Sequence, residues 1–139
     1  MEGIYKFQYS TSQGLVLTSD MPGNGYIANN PLQAISAKGR MYFMVPAGVN
    51  EISIRVSGDN NAEVVSIALF DPAGKIVKSK ANVSKPDLLC HKRENAEKNE
   101  IWALDITKAV EDFNLSILGG AIPILSDSPD KLFIMDPSK

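Results

Sequence analysis

A chain of 139 residues, 44% apolar and 22% charged, has the length of about one domain and the composition of an ordinary globular one, which excludes a fibrous repeat and argues against disorder. At this length folding buries roughly 68% of the surface an unfolded chain exposes, enough for a self-sufficient core. The formal net charge of -2 comes without a concentrated basic face and so speaks against nucleic acid as a partner, because displacing counterions from phosphates calls for such a face.

Met1-Glu2-Gly3 leads directly into Ile4-Tyr5-Lys6-Phe7, which reads as a start placed at the edge of a domain. Residues 1–139 are accordingly expected to form a single domain excised from a larger polypeptide. No run approaches the ~20 apolar residues of a membrane span, and no charged start precedes an apolar stretch in the manner of a signal peptide. Ile4 to Tyr9 and Gly14 to Thr18 are β-prone runs joined by Ser10-Thr11-Ser12-Gln13, the pattern of a hairpin that opens the sheet. Ser19 to Pro31, rich in Asp, Pro, Gly and Asn, reads mostly as loop around Tyr26 and Ile27.

From Gly39 onward the period-two pattern of antiparallel strands is plain. Arg40 to Val45, Asn50 to Ser57 and Val64 to Phe70 are joined by Pro46-Ala47-Gly48 and by Gly58-Asp59-Asn60-Asn61, residues that preset a turn or tolerate positive φ. Ile52, Ile54 and Val56 alternate with Ser53 and Arg55, which sends one set to a core and the other to water. Asp71-Pro72-Ala73-Gly74 is a further turn, and Lys75 to Lys80 returns as a strand. Ala81 to Glu100 reads as a long polar connection, anchored at Leu88 and Leu89. Its cations, with Lys75, Lys78, Lys80, Lys85, Lys92 and Arg93 interleaved among Asp87, Glu94, Glu97 and Glu100, read as a solvated edge.

Ile101 to Thr107 revives the alternation and puts Trp102, Leu104 and Ile106 on one face, so Trp102 belongs to the core by phase. Lys108 to Asp112 suits one helical turn, Phe113 to Leu118 is a strand, and Pro123 to Ile134 closes the chain. Eight or nine strands without a long helix make an all-β, two-layer antiparallel β-sandwich, with a jelly-roll-like order preferred over an immunoglobulin-like one.

Chemistry-bearing residues are sparse. His91 is the sole histidine and Cys90 the sole cysteine. Neighbours on an extended chain point to opposite sides, so the two are not expected to form a catalytic dyad. Nor do two residues make a zinc site. Glu51, Glu63, Asp71 and Asp105 show no spacing that would pair two carboxylates across a cleft for glycoside hydrolysis. Asp59, Asn61 and Glu63 alternate like the start of a calcium loop, but Val64 stands where that loop needs glycine and Phe70 where it needs a chelating glutamate. A structural calcium at these three is a minor alternative to a plain hairpin turn, and Asp20 with Asn24, or Asp127 with Asp130, are weaker candidates still. The expectation is a protein without catalytic residues.

Aromatic rings pack on the apolar faces of sugars while amides and carboxylates bond the hydroxyls, so off-phase or loop tyrosines are the candidate carbohydrate-binding residues. Tyr42 is opposite in phase to Met41, Phe43 and Val45. Tyr26 sits in the glycine-containing loop, and Tyr5 and Tyr9 share one side of the first strand.

The run Met41-Tyr42-Phe43-Met44-Val45-Pro46-Ala47-Gly48, then Ala68-Leu69-Phe70-Asp71-Pro72-Ala73-Gly74, then Ile101-Trp102-Ala103-Leu104, resembles bacterial extracellular β-sandwich modules. Those modules share a Tyr-Phe-x-Val-Pro-x-Gly strand, an Asp-Pro-x-Gly turn and a later Trp-containing strand. They are appended to secreted glycoside hydrolases and peptidases, the pre-peptidase carboxy-terminal type among them. The resemblance spans about Gly39 to Leu118 and departs from the pattern at His91 to Glu100, where a shorter glycine-rich link would stand. It implies a noncatalytic accessory module, extracellular, periplasmic or at the cell surface. Such a module would bind polysaccharide or accompany a carbohydrate-active enzyme, with neighbouring domains of its parent polypeptide as partners. The alternative is a structural spacer that stabilises a neighbouring domain and takes no small ligand.

Overall fold

In the computed structural model, which describes residues 25–29 and 31–132, alternating apolar residues close a core between two four-stranded antiparallel sheets. The strands are β1 (Tyr26–Ile27), β2 (Leu32–Ile35), β3 (Gly39–Val45), β4 (Glu51–Gly58), β5 (Val65–Phe70), β6 (Ile76–Val83), β7 (Asp87–Lys92), β8 (Glu100–Ala109), β9 (Asp112–Leu118) and β10 (Ile124–Leu125). One sheet runs β2-β9-β4-β7 and the other β3-β8-β5-β6, with β1 and β10 as a short ribbon beside them. The chain is thus an all-β, two-layer sandwich. The expected hairpin of Ile4 to Thr18 lies outside the described residues.

The strand order has a simple origin. β5 pairs with β6, β4 with β7, β3 with β8 and β2 with β9, so one long antiparallel ribbon is nested about the β5–β6 hairpin. Rolling that ribbon brings β4 against β9 and β5 against β8, which closes both sheets. The roll starts at Asp71-Pro72-Ala73-Gly74. There Gly74, at φ 80°, donates its N–H to the Asp71 carbonyl, while the Asp71 carboxylate accepts the Lys75 N–H at 2.8 Å. Positive φ at the fourth residue is what makes glycine necessary.

Inward residues interdigitate as their period dictates. Ile52, Ile54 and Val56 of β4 and Phe113, Leu115 and Ile117 of β9 face Phe43, Val45, Ile67, Leu69, Leu104 and Ile106 of the other sheet, all buried in one cluster with Trp102. β5, central and covered on both faces, is buried at every residue, and therefore reads as an apolar run without clean alternation.

Two expectations are corrected. Ala81 to Glu100 is not one long connection. β6 runs on to Val83 and β7 occupies Asp87–Lys92, where Leu89 turns into the core opposite Ile54. β7 is an edge strand in which Asp87 and His91 share the inward phase of Leu89 while Leu88 is exposed on the outer face, so its sequence shows no clean apolar alternation. Lys108 to Asp112 is not a helical turn, because β8 extends to Ala109 and the reversal is made by Val110 and Glu111, the latter at φ 57°. Leu32–Ile35, which the sequence reading left unassigned, is a strand whose four residues are matched to Leu115, Asn114, Phe113 and Asp112. The closing segment supplies β10 and a 3-10 turn at Pro129–Lys131, capped by Ser128.

Arg93 is the exception to the reading of the charged stretch as solvated, since Lys75, Lys78, Lys85, Lys92, Glu94 and Glu97 are exposed. Its side chain is buried. Nη1 donates to the carbonyls of Pro46 (2.9 Å) and Val49 (2.8 Å), and Nη2 to that of Lys98 (2.7 Å). Nε and Nη2 both reach Glu100 Oε2, at 3.1 and 2.9 Å. The same oxygen accepts from the Trp102 indole at 2.9 Å. The Gly48 N–H bonds the Ala96 carbonyl and the Ala47 N–H bonds Asn99, so the β3–β4 turn and the β7–β8 loop are locked together around one guanidinium.

Candidate functional site

The outer face of the β2-β9-β4-β7 sheet carries an open groove of about 300 Å³ lined by Pro31, Arg55, Ser57, Pro86, Asn114 and Ser116. Its floor follows from strand register. Arg55 of β4 stands opposite Ser116 of β9, and Ser57 opposite Asn114. Alternate residues share a face, about 7 Å apart along a strand, and directly opposed residues sit about 5 Å apart. Four polar side chains therefore make a quadrilateral of the scale of one sugar residue. Ile54, Val56, Leu115 and Ile117 lie on the reverse side in the core, which holds the floor rigid. Pro31 and Pro86 immediately precede β2 and β7 and stand at the two sides of the floor.

Arg55 is exposed and is the one formal charge among the described residues of the lining. Asp87, beside Pro86, is committed elsewhere. Its carboxyl is held below its ordinary pKa of 3.8 by the hydrogen bond from Lys80 and, next, by the Leu88 N–H at 2.7 Å.

The described tyrosines lie apart from this groove. Tyr26 is 59% exposed on β1, across from Leu125. Tyr42 is half-buried on the outer face of the other sheet, against Ala68, Phe70 and Ala103, with its backbone paired to Ser126. Tyr26 thus belongs to the short β1–β10 ribbon and Tyr42 to the β3-β8-β5-β6 sheet. Arg40 completes the Tyr42 face by lying 3.9 Å over the Phe70 ring and 3.4 Å from Asp105. Tyr5 and Tyr9 lie outside the described residues.

Cys90 and His91 point to opposite faces of β7. The thiol lies 3.5 Å from the Ser53 hydroxyl on the outer face, whereas the imidazole stands 5.5 Å from the Trp102 ring on the inner one. In the Gly58–Glu63 turn, Asp59 and Asn61 are exposed and Glu63 is buried. The Asn60 side-chain amide donates to Glu63 Oε1, while Glu63 Oε2 is buried without a partner among the described residues. Among those residues no three His, Cys, Asp or Glu side chains are grouped to hold a metal ion. Gly58 is required by close approach, since a Cβ there would lie 1.8 Å from the Glu63 carbonyl oxygen.

Sequence reasoning placed Ser53 and Arg55 toward water but did not find the groove. Ser57 follows from the same alternation, whereas Asn114 and Ser116 join them only through the β4–β9 pairing.

No protein-family model and no curated protein matches this chain. Among solved structures the chain is similar to that titled "Crystal structure of Yersinia pseudotuberculosis-derived mitogen (YPM)", at 14% identity and a TM-score of 0.41, over 78% of this chain and 91% of that one. The likeness is distant, and the sandwich described above rests on the strand pairing of this chain itself.

Proposed function

We propose that this chain is a noncatalytic accessory module of jelly-roll order whose outer-face groove binds carbohydrate. The observation that carries the reading is the floor of Arg55, Ser57, Asn114 and Ser116. It combines a guanidinium, two hydroxyls and an amide on rigid strands, the donors and acceptors that ring hydroxyls require. Its volume lies at the lower end of the range for ligand sites, which suits one or two sugar units of a longer chain. The nested pairing and its exit at the Asp71–Gly74 turn support the jelly-roll assignment, and the motifs shared with secreted accessory modules support an extracellular, periplasmic or surface setting beside other domains. Tyr26, exposed and solitary, is a secondary contact in this reading.

The test is a glycan array with polysaccharide-retardation electrophoresis of the protein and of its Asn114→Ala, Ser57→Ala, Tyr26→Ala and Tyr42→Ala variants. Saturable binding that weakens in the Asn114 and Ser57 variants supports the groove. Binding lost instead only in a tyrosine variant moves the site to that ring. Silence across the array overturns the reading in favour of a structural spacer.

A further inference from the structure

We propose that the groove selects an acidic sugar, with a ring carboxylate seated on Arg55; this rests on the carbohydrate reading above. Arg55 makes no ion pair among the described residues, and the register surrounds it with neutral groups. Ser53 and Ser57 flank it along β4, Leu88 faces it from β7 and Ser116 from β9. The acidic side chain sharing its face on β4 is Glu51, two alternations away, opposite Lys92 and accepting from the Ser53 hydroxyl at 3.3 Å. Asp87, next in sequence to Pro86, is taken by Lys80.

A cation on the floor of a concave site, with no counter-charge among the described residues of the lining, is complementary to an anion. The guanidinium fork matches a planar carboxylate through two parallel hydrogen bonds. Ser116, nine-tenths buried, and half-buried Asn114 and Ser57 stand beside it to take the neighbouring ring hydroxyls. Among the described residues the lining holds one cation and no second. That stoichiometry suits a singly charged carboxylate rather than the denser charge of a sulfated chain.

The experiment is titration calorimetry with three probes: a galacturonate oligomer, the same oligomer fully methyl-esterified, and a cello-oligosaccharide of equal length. A sulfated oligosaccharide is added as a fourth, and each is repeated with Arg55→Gln and Arg55→Lys. Arg55 is exposed, so both variants are expected to retain the wild-type melting temperature, which is checked alongside. The expected result is binding of the acid oligomer that weakens at high salt, that is lost on esterification, and that falls roughly 10- to 100-fold in Arg55→Gln, with Arg55→Lys between. Equal or better binding of the neutral, esterified or sulfated probe overturns the acidic-sugar inference and leaves the carbohydrate reading standing. Acid binding that survives Arg55→Gln also overturns it. No binding of any probe, together with a silent array, overturns both.

Discussion

Arg93 offers the sharpest test of how this sandwich is held at one end. Its guanidinium donates to three backbone carbonyls from two loops and to Glu100, and the side chain is only 1% exposed. Arg93→Ala would leave the Pro46, Val49 and Lys98 carbonyls without their donor and Glu100 without its counter-ion. Removing one partner of a buried ion pair costs about 3–5 kcal/mol, and a domain is stable by only about 5–15 kcal/mol in all. For a chain of this length that corresponds to a fall of roughly 10–15 °C in the melting temperature. Arg93→Lys keeps the charge but lacks the fork that reaches two carbonyls and a carboxylate together, so an intermediate loss is expected. The assay is thermal and urea unfolding followed by circular dichroism, with Trp102 fluorescence as a local probe, since its indole shares Glu100 Oε2 with Arg93. A melting point within about 2 °C of wild type, the effect of an ordinary surface substitution, would refute the claim that this guanidinium locks the two loops.

Gly58→Ala is expected to destabilise by about 1–3 kcal/mol or more in urea unfolding, because the new Cβ meets the Glu63 carbonyl oxygen, a backbone atom that cannot swing aside. Leu104→Ala, in the centre of the β8 core face, should cost about 2–5 kcal/mol in the same assay. Asp87 titrates below 3.8 in the folded protein, so its contribution to stability is present above the unfolded value and is lost as pH falls through the folded one. Carboxyl NMR should record that low midpoint and its rise in Lys80→Met; an unmoved midpoint would remove Lys80 as the cause. A chelator is expected to leave the melting temperature unchanged, because the Gly58–Glu63 turn is closed by its own bonds from the Glu63 N–H to the Asn60 carbonyl and from the Ala62 N–H to the Asn60 side chain. A calcium-dependent rise would restore Asp59, Asn61 and Glu63 as ligands.

Local chemistry was enough to read the middle of this molecule. The alternation of β4 and β8, the phase that buries Trp102 and the turns at Pro46-Ala47-Gly48 and Asp71-Pro72-Ala73-Gly74 are short-range properties, since a pleated strand sorts neighbours by face and a turn needs only four residues. The same alternation separated Cys90 from His91. What stayed hidden depends on partners distant in the chain. β7 was masked because Asp87 and His91 share the inward phase of Leu89 while Leu88 lies on the outer face, which leaves no clean apolar alternation, and Leu32–Ile35 is a strand because β9 supplies its hydrogen bonds. Arg93 looks like any surface cation until Pro46, Val49, Lys98 and Glu100 are folded around it. The groove is the strongest case. Arg55 and Ser57 are separated from Asn114 and Ser116 by more than fifty residues, and only the β4–β9 register makes them neighbours. Sequence by itself determined the all-β class and which residues face inward, because those follow from period and turn chemistry. The tertiary structure decided which outward residues meet, because register is a property of two strands and is written in neither alone.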